Sequence, residues 1–294
     1  MMAVLSLLAP AKLNLFLHLT GRRADGYHEL QTLFQLLDYG DQVRLSLRED
    51  GNIQRIAGAD AVSADTDLAV KAARLLKSVS GTRKGCDITV VKRIPLGAGL
   101  GGGSSDAGAV LVGLNRIWEL KLSEARLAEL GLELGADVPV FVRGCSAWAE
   151  GIGERLYPVS AEGIWYLVVT PSCEVSSAEV FSSPALTRNT PPSKIDRFTL
   201  AQSDGAAPAV SWDAVWAHTH NDCEPVTRAM YPQVDRALNW LSNFAEARMT
   251  GTGGSVFAPF PRRAEAGRVM AQRPDGLRAF VSRGLSRIDR TTER

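Results

Sequence analysis

The chain has 294 residues, 45% of them apolar and 22% charged, with 33 basic against 32 acidic side chains and a net charge of +1. That composition excludes a disordered chain, and the balanced charge excludes a broad basic field for nucleic acid. The length favours two domains over a single core.

Cys86, Cys145, Cys173 and Cys223 stand far apart with no CxxC or Cys/His cluster, so reduced structural thiols in a cytoplasmic protein are expected. The apolar first residues lack a basic flank, and Lys12 and Asn14 interrupt the run that a secretory signal would need. No stretch reaches transmembrane length without charges, and no membrane partner is expected.

Leu13, Leu15, Leu17 and Leu19 alternate with Asn14, Phe16 and His18, which predicts a strand with one face in a core. Lys12 and Asn14 share the other face, as a solvated edge charge or as members of a polar site. Residues 20–29 read as a loop that sets Tyr27 beside His28, a loop anchor and a solvated ring or a ligand pair. No second histidine follows His28-Glu29 at zinc-protease spacing. A turn at 38–41 and a second strand at 43–47 follow. Asp65 or Thr66 is expected to cap a helix carrying Leu68, Ala72, Leu75, Leu76 and Val79, ended near Gly81. A strand at 88–91 then delivers the chain into a glycine-rich stretch.

That stretch, Pro95-Leu96-Gly97-Ala98-Gly99-Leu100-Gly101-Gly102-Gly103-Ser104-Ser105, reads as a phosphate cradle. Its glycines can take positive φ and bring bare amides close to an anion. Ser104 or Ser105 is expected to cap the next helix, whose apolar face carries Ala107, Val110, Leu111, Leu114, Ile117 and Trp118. The loop formally fits GxGxxG, but no acidic residue closes a following strand, and no Gly-Lys-Ser/Thr of a Walker motif occurs. Any phosphate-neutralising lysine must therefore come from elsewhere. Gly108 and Gly113 each cost the helix about 1 kcal/mol against alanine, which implies close packing there, on neighbouring elements or on a ligand.

Ser123 is expected to cap a helix through Leu127, Leu130 and Leu134 that stops at Gly135. Asp137 follows among apolar neighbours, as a helix N-cap, a functional acid, or both. A hairpin at 147–159 turns around Gly151 and Gly153. Beyond it come a strand (164–170) and a Pro- and Ser-rich connection (171–208). A helix from near Pro225 has Val234, Leu238, Leu241 and Phe244 facing inward. Strands at 247–250 and 255–260 flank a turn at 251–254, and a helix (263–272) and a strand (277–282) close the chain. Strand, helix, strand, strand, helix, strand is the ferredoxin-like order. The first half is a separate α+β unit, and the boundary is expected at 158/159. The arginines of 262–294 are dispersed among apolar residues, as on a solvated helix face rather than an RNA-binding tail.

Pro10-Ala-Lys-Leu-Asn-Leu, the glycine stretch and Thr250-Gly-Thr-Gly-Gly, in that order, resemble the GHMP (galactose, homoserine, mevalonate, phosphomevalonate) kinase superfamily. Arg23-Ala-Asp-Gly-Tyr-His, Leu134-Gly-Ala-Asp-Val-Pro-Val-Phe-Val and Asn221-Asp-Cys-Glu are similar to one branch of it. That branch phosphorylates, with ATP, the 2-hydroxyl of a cytidine-diphosphate-linked methylerythritol in non-mevalonate isoprenoid biosynthesis. The resemblance implies an α+β, two-domain GHMP kinase fold. Its N-terminal domain is of a kind also found in a ribosomal protein, and its C-terminal domain is ferredoxin-like. It implies ATP with Mg²⁺, a small-molecule cytidine-diphosphate substrate and no nucleic-acid partner, and it fits a monomer or a homodimer.

By the same resemblance Lys12 and Asp137 form the catalytic pair, and Pro95 to Ser105 hold the ATP phosphates. Asn14, Tyr27, His28, Lys92 and Phe181 line the substrate site, with Lys92 facing the cytidine substrate. Ser177 stands where the branch has threonine and keeps the hydroxyl. Lys12 would supply the lysine that the missing Walker motif leaves unprovided. No carboxylate pair in the sequence identifies itself as a metal cage. The rival expectations are another GHMP kinase of homoserine or mevalonate type, a Rossmann oxidoreductase, and a non-catalytic nucleic-acid-binding module.

Overall fold

Two long antiparallel strands, β1 (Val4–Arg22) and β2 (His28–Arg48), form the spine of the molecule. The computed structural model describes residues 4–58, 61–200 and 206–289. The turn expected at 38–41 is absent, because β2 runs straight through it and the strand read at 43–47 is its last part. Gly40 lies opposite Pro10, where an added Cβ would stand 2.3 Å from the Ala9 carbonyl oxygen. Glycine at 40 therefore permits close backbone approach at a register shift, not a reversal.

On the other edge of β2, β3 (Ile53–Ala57) pairs parallel to β4 (Gly85–Val91), and β4 pairs with β2. Four helices follow in this half: α1 (Leu68–Ser80), α2 (Gly102–Ile117), α3 (Glu124–Leu134) and α4 (Val138–Arg143). The cap of α1 is Asp67, which accepts from the Ala69 amide, rather than Asp65 or Thr66. Asp65 instead pairs with Arg74, and the Thr66 hydroxyl bonds back to Ser63. Ser123 caps α3 and Gly135 ends it, as expected. The two glycines inside α2 are packing sites. A Cβ on Gly108 would lie 2.8 Å from Phe141 Cβ, and one on Gly113 2.4 Å from Leu45 Cδ1. The expected hairpin is β5 (Ala147–Glu150) with β6 (Arg155–Pro158), and β5 also pairs with β2.

The second half continues with β7 (Trp165–Thr170) and α5 (Ser177–Ser182). A two-stranded ribbon of β8 (Thr199–Leu200) and β9 (Ala209–Val210) follows, then α6 (Trp212–His218), α7 (Glu224–Met230) and α8 (Pro232–Ser242). The last elements are β10 (Arg248–Met249), β11 (Val256–Phe260), α9 (Arg263–Met270) and β12 (Arg278–Leu285). The strand order β10-β11-β7-β12 is the ferredoxin-like one that the sequence pattern predicts. The single helix expected from Pro225 is two, because Pro232 lacks an amide to continue α7 and opens α8 instead. Val234, Leu238 and Leu241 face inward, but Phe244 lies past the end of α8 and is 39% exposed. The arginine-rich end divides between α9 and β12, and residues 290–294 lie outside the described residues.

One sheet spans both halves, since β12 pairs with β2 through Gly284–Leu37 and Leu285–Leu36. One apolar core does the same, packing Leu13, Leu15 and Trp148 with Tyr166, Phe198 and Phe257. None of the four cysteines forms a disulfide, and three of them are buried. Among the described residues no helix is long and apolar enough to cross a membrane.

Candidate active site

The glycine stretch leaves β4 and climbs to α2 with Gly97, Gly99 and Gly101 at φ of 66°, 72° and 73°, a region that L side chains avoid. Gly101 is itself the N-cap of α2 and no side chain caps the helix, so Ser104 and Ser105 lie inside its first turn rather than ahead of it. A left-handed glycine turns the backbone into the helix earlier than a serine cap would. The first-turn amides are thereby left to an external anion. The third glycine motif packs on this loop. A Cβ on Gly99 would stand 2.4 Å from the Gly253 carbonyl oxygen, and one on Gly254 2.5 Å from that of Gly97.

Lys12 enters from β1, with its own amide bonded to the Leu100 carbonyl at 3.0 Å. Its ammonium donates to Asn14 Oδ1 at 2.5 Å, lies 3.2 Å from Asp137 Oδ2 and sits 5.3 Å from the Phe34 ring centre. The lysine is buried while the Asp137 carboxylate is a third exposed. Asp137 occupies the N-cap position of α4 without capping it, which leaves the carboxylate free for Lys12 and for a ligand. Asn14 is fixed on both sides: its Nδ2 donates to Thr32, and its amide donates to Thr250 Oγ1 at 2.8 Å. Lys12, Asn14, Asp137, Ser177 and Phe181 line one cavity of about 230 Å³, with Gly99, Gly101 and Thr252. Ser177 shares a 2.6 Å hydrogen bond with Thr252.

Two further cavities adjoin it. One, of about 240 Å³, runs along the glycine stretch and shares Gly99 and Gly101 with the central cavity. The other, of about 510 Å³, is lined by Tyr27, His28 and Phe181, and shares Phe181, Leu30, Ala136 and Ile152 with it. Tyr27 is 59% exposed, an open aromatic face rather than a buried anchor. His28 stacks on Phe181 at 5.0 Å, and Arg188 Nε donates to His28 Nε2 at 3.1 Å. Burial, then Arg188 and Arg22, lower the His28 pKa. A guanidinium only donates, so the neutral ring carries its proton on Nδ1.

Lys92 is the expected site residue that the structure does not bring to this side. It lines the glycine-stretch cavity, tied to Asp41 and Asp106, and is absent from the Tyr27–His28 cavity. Sequence reasoning missed Phe34, Thr250, Thr252 and Arg188. Thr250 and Thr252 lie within the Thr250-Gly-Thr-Gly-Gly motif, whereas Arg188 comes from the 171–208 connection, which carries no local signal. Arg188 also donates to the Phe181 and Ser183 carbonyls, so that connection holds the His28–Phe181 stack in place.

The GHMP kinases N terminal domain family matches residues 67–145, and the GHMP kinases C terminal family matches 213–277. A 4-diphosphocytidyl-2-C-methyl-D-erythritol kinase of Alkalilimnicola ehrlichii is 52% identical over 278 residues, covering 95% of this chain and 90% of that protein. One from Pseudomonas aeruginosa is 50% identical over 291 residues, covering 98% of each. A crystal structure of 4-(cytidine 5'-diphospho)-2C-methyl-D-erythritol kinase superposes with a TM-score of 0.74 at 29% identity, over 95% of this chain and 99% of that one. Homoserine kinase from Cytophaga hutchinsonii, at 18% identity and a TM-score of 0.64 over 97% and 96% of the two chains, shares the fold. A glycine cradle, a lysine–aspartate pair and a histidine–aromatic pocket in adjoining cavities accord with half-identity over the whole length, and the chain belongs to the 4-diphosphocytidyl-2-C-methyl-D-erythritol kinase family of GHMP kinases.

Proposed function

We propose that the protein transfers the γ-phosphoryl group of ATP to the 2-hydroxyl of 4-diphosphocytidyl-2-C-methyl-D-erythritol, giving the 2-phosphate and ADP. The observation that carries this reading is the row of three cavities, with Lys12 and Asp137 in the middle one. ATP phosphates lie along the glycine stretch and the cytidine end lies against Tyr27 and His28. The acceptor hydroxyl then meets the phosphoryl group beside Asp137. Such alignment is most of what phosphoryl transfer asks of a protein.

An alcohol is far too weakly acidic for an ordinary carboxylate to hold its proton in the ground state. In a loose transition state the nucleophile needs little prior deprotonation, so Asp137 orients the hydroxyl and accepts its proton late. Lys12 keeps Asp137 in place and faces the charge that develops on the phosphoryl oxygens. Asn14 and Phe34 hold the lysine side chain in one position, and Ser177 with Thr252 borders the acceptor.

Tyr27 stacks on the cytosine ring, and stacking accepts any base. Discrimination needs the base edge: the Nδ1–H of His28 donates to a cytosine acceptor, and a backbone carbonyl takes the amino hydrogen. Mg²⁺ accompanies ATP and offsets phosphate charge. Among the described residues no three His, Cys, Asp or Glu gather to hold a metal, and the ion would supply charge neutralisation on the ATP phosphates.

The test is transfer from ATP to the diphosphocytidyl substrate, with phosphorus NMR placing the new phosphate, and homoserine and mevalonate as competing acceptors. Turnover of the cytidine substrate with phosphate on the 2-oxygen is expected. Preference for either competitor sinks the reading.

A further inference from the structure

Behind the glycine-stretch cavity, whose wall includes Lys92, lies a buried charge cluster that the proposed transfer does not use. Asp41 on β2 is fully buried and Asp106 on α2 nearly so. The Lys92 ammonium lies 2.5 Å from Asp41 Oδ2 and 2.7 Å from Asp106 Oδ2. Asp41 Oδ1 also accepts the amides of Arg93 at 2.5 Å and Ile94 at 2.8 Å, gripping the backbone just ahead of the glycines. Asp106 Oδ1, buried as it is, has no hydrogen-bond partner. Two carboxylates against one ammonium leave an excess negative charge where little water reaches, a costly state unless a proton is retained.

Lys92 is next to the turn that opens α2. A Cβ on Gly102 would stand 3.5 Å from Lys92 Nζ, and one on the preceding Gly101 3.1 Å from Lys12 Cγ. Two lysines thus border successive residues of the loop, one in the transfer cavity and one along the cradle. We propose that Asp106, together with Asp41, is a positioning residue for ATP: the pair fixes the Lys92 ammonium against the glycine stretch, and the charge on Asp106 sets how much of that ammonium's field reaches the bound phosphates. This rests on the reading that the stretch holds ATP phosphates.

The charged groups facing Asp106 are Lys92 after β4, Asp41 from β2, and Asp67 at the cap of α1, which Arg55 neutralises at 2.9 Å. Burial raises the Asp106 carboxyl to about 7, with Lys92 pulling it down and Asp41 pushing it up. Lys92 is itself held above the ordinary lysine value: burial works against its charge, but the two carboxylates outweigh it. Around neutrality the cluster therefore passes from balanced to one net negative charge as pH rises, and the pull on phosphate weakens.

The experiment compares KM for ATP and for the cytidine substrate between pH 6 and 8.5 in wild type and Asp106→Asn. The wild-type to variant ratio of ATP KM is expected to lie near unity at pH 6 and to grow to about fivefold at pH 8.5, with the cytidine ratio flat. A pH-independent ATP ratio, or an equal change in both, overturns the proposal. Lys92→Met provides a second arm: ATP KM should rise at every pH, and a rise confined to the cytidine KM refutes the assignment. Gly99→Ala, whose Cβ would collide with the Gly253 carbonyl oxygen and so must displace the stretch, tests the underlying reading separately. Unchanged ATP KM in that variant removes the ATP loop itself, whereas a raised ATP KM with wild-type behaviour in Asp106→Asn removes only the positioning role.

Discussion

At the scale of single residues, the central pair separates chemistry from binding. Asp137→Asn keeps the shape beside Lys12 and removes the late proton acceptor, so kcat should fall by roughly 10²- to 10⁴-fold with both KM values little changed. Steady-state kinetics at saturating ATP decide it, and near-normal turnover would sink the catalytic assignment. Tyr27→Ala deletes one open aromatic face in the outer cavity. Loss of about 1–3 kcal/mol of stacking should raise the cytidine KM by tenfold or so and spare that of ATP. An equal loss for both substrates refutes the stacking role. Lys12, Asn14 and Asp137 stand out as polar side chains in apolar runs, but that pattern leaves an edge charge and a helix cap open, and their joint role is implied only by the family resemblance. Lys92, expected to face the cytidine substrate, lines the glycine-stretch cavity, and its direction depends on Asp41 and Asp106, partners separated from it by 51 and 14 residues.

At the scale of elements, two glycines in positive φ separate strain from collision. Gly81 ends α1 at φ 65° with open space around it, so Gly81→Ala should cost about 1 kcal/mol of stability and leave ATP KM alone. Gly254, at φ 87°, has the Gly97 carbonyl oxygen 2.5 Å from where a Cβ would be, so Gly254→Ala must displace the cradle. Thermal unfolding with ATP titration should show the second variant losing both stability and ATP affinity. Matching behaviour of the two variants would show that the interlock is immaterial. Strand and helix identities could be read from periodicity, but several ends could not. The α2 start was misplaced because a glycine backbone cap mimics none of the side-chain signals. The turn at 38–41 was read from Asp and Gly, residues that here serve a buried cluster and a close strand crossing. The split of α7 from α8 at Pro232 was legible in principle, since a proline inside a helical pattern ends or kinks it.

At the scale of the molecule, the ferredoxin-like order followed from the sequence, while the joining of the halves did not. Pairing of β12 with β2 depends on edges that a linear pattern does not mark. A division at 158/159 falls between β6 and β7, yet sheet and core cross it. Calorimetry should therefore show one unfolding transition, and two separated ones would argue for independent domains. Stability should also decline in acid through His18. Burial, His220 and Arg248 lower its pKa to about 4, with Asp222 opposing, against 6.5 for an unperturbed histidine. The folded protein keeps the ring neutral where the unfolded chain already binds a proton. The contribution is thus full above 6.5 and is lost as pH falls toward 4. It is on the order of 2 kcal/mol once screening through the exposed His220 ring is allowed for. His18→Gln should flatten that part of the pH dependence in denaturant unfolding, and an unchanged slope would remove His18 as its source.

The contact of Gly97 and Gly99 with Gly253 and Gly254 also has a consequence during synthesis. The cradle is translated in the first half of the chain, but its outer wall is backbone made some 150 residues later. Until that turn has left the ribosome, the early segment lacks the backbone wall against which Gly97 and Gly99 pack. Nascent chains arrested before the turn should not retain ATP on an affinity matrix, and those released at full length should. Nucleotide binding would then report that translation is finished, and prematurely terminated fragments would not sequester ATP.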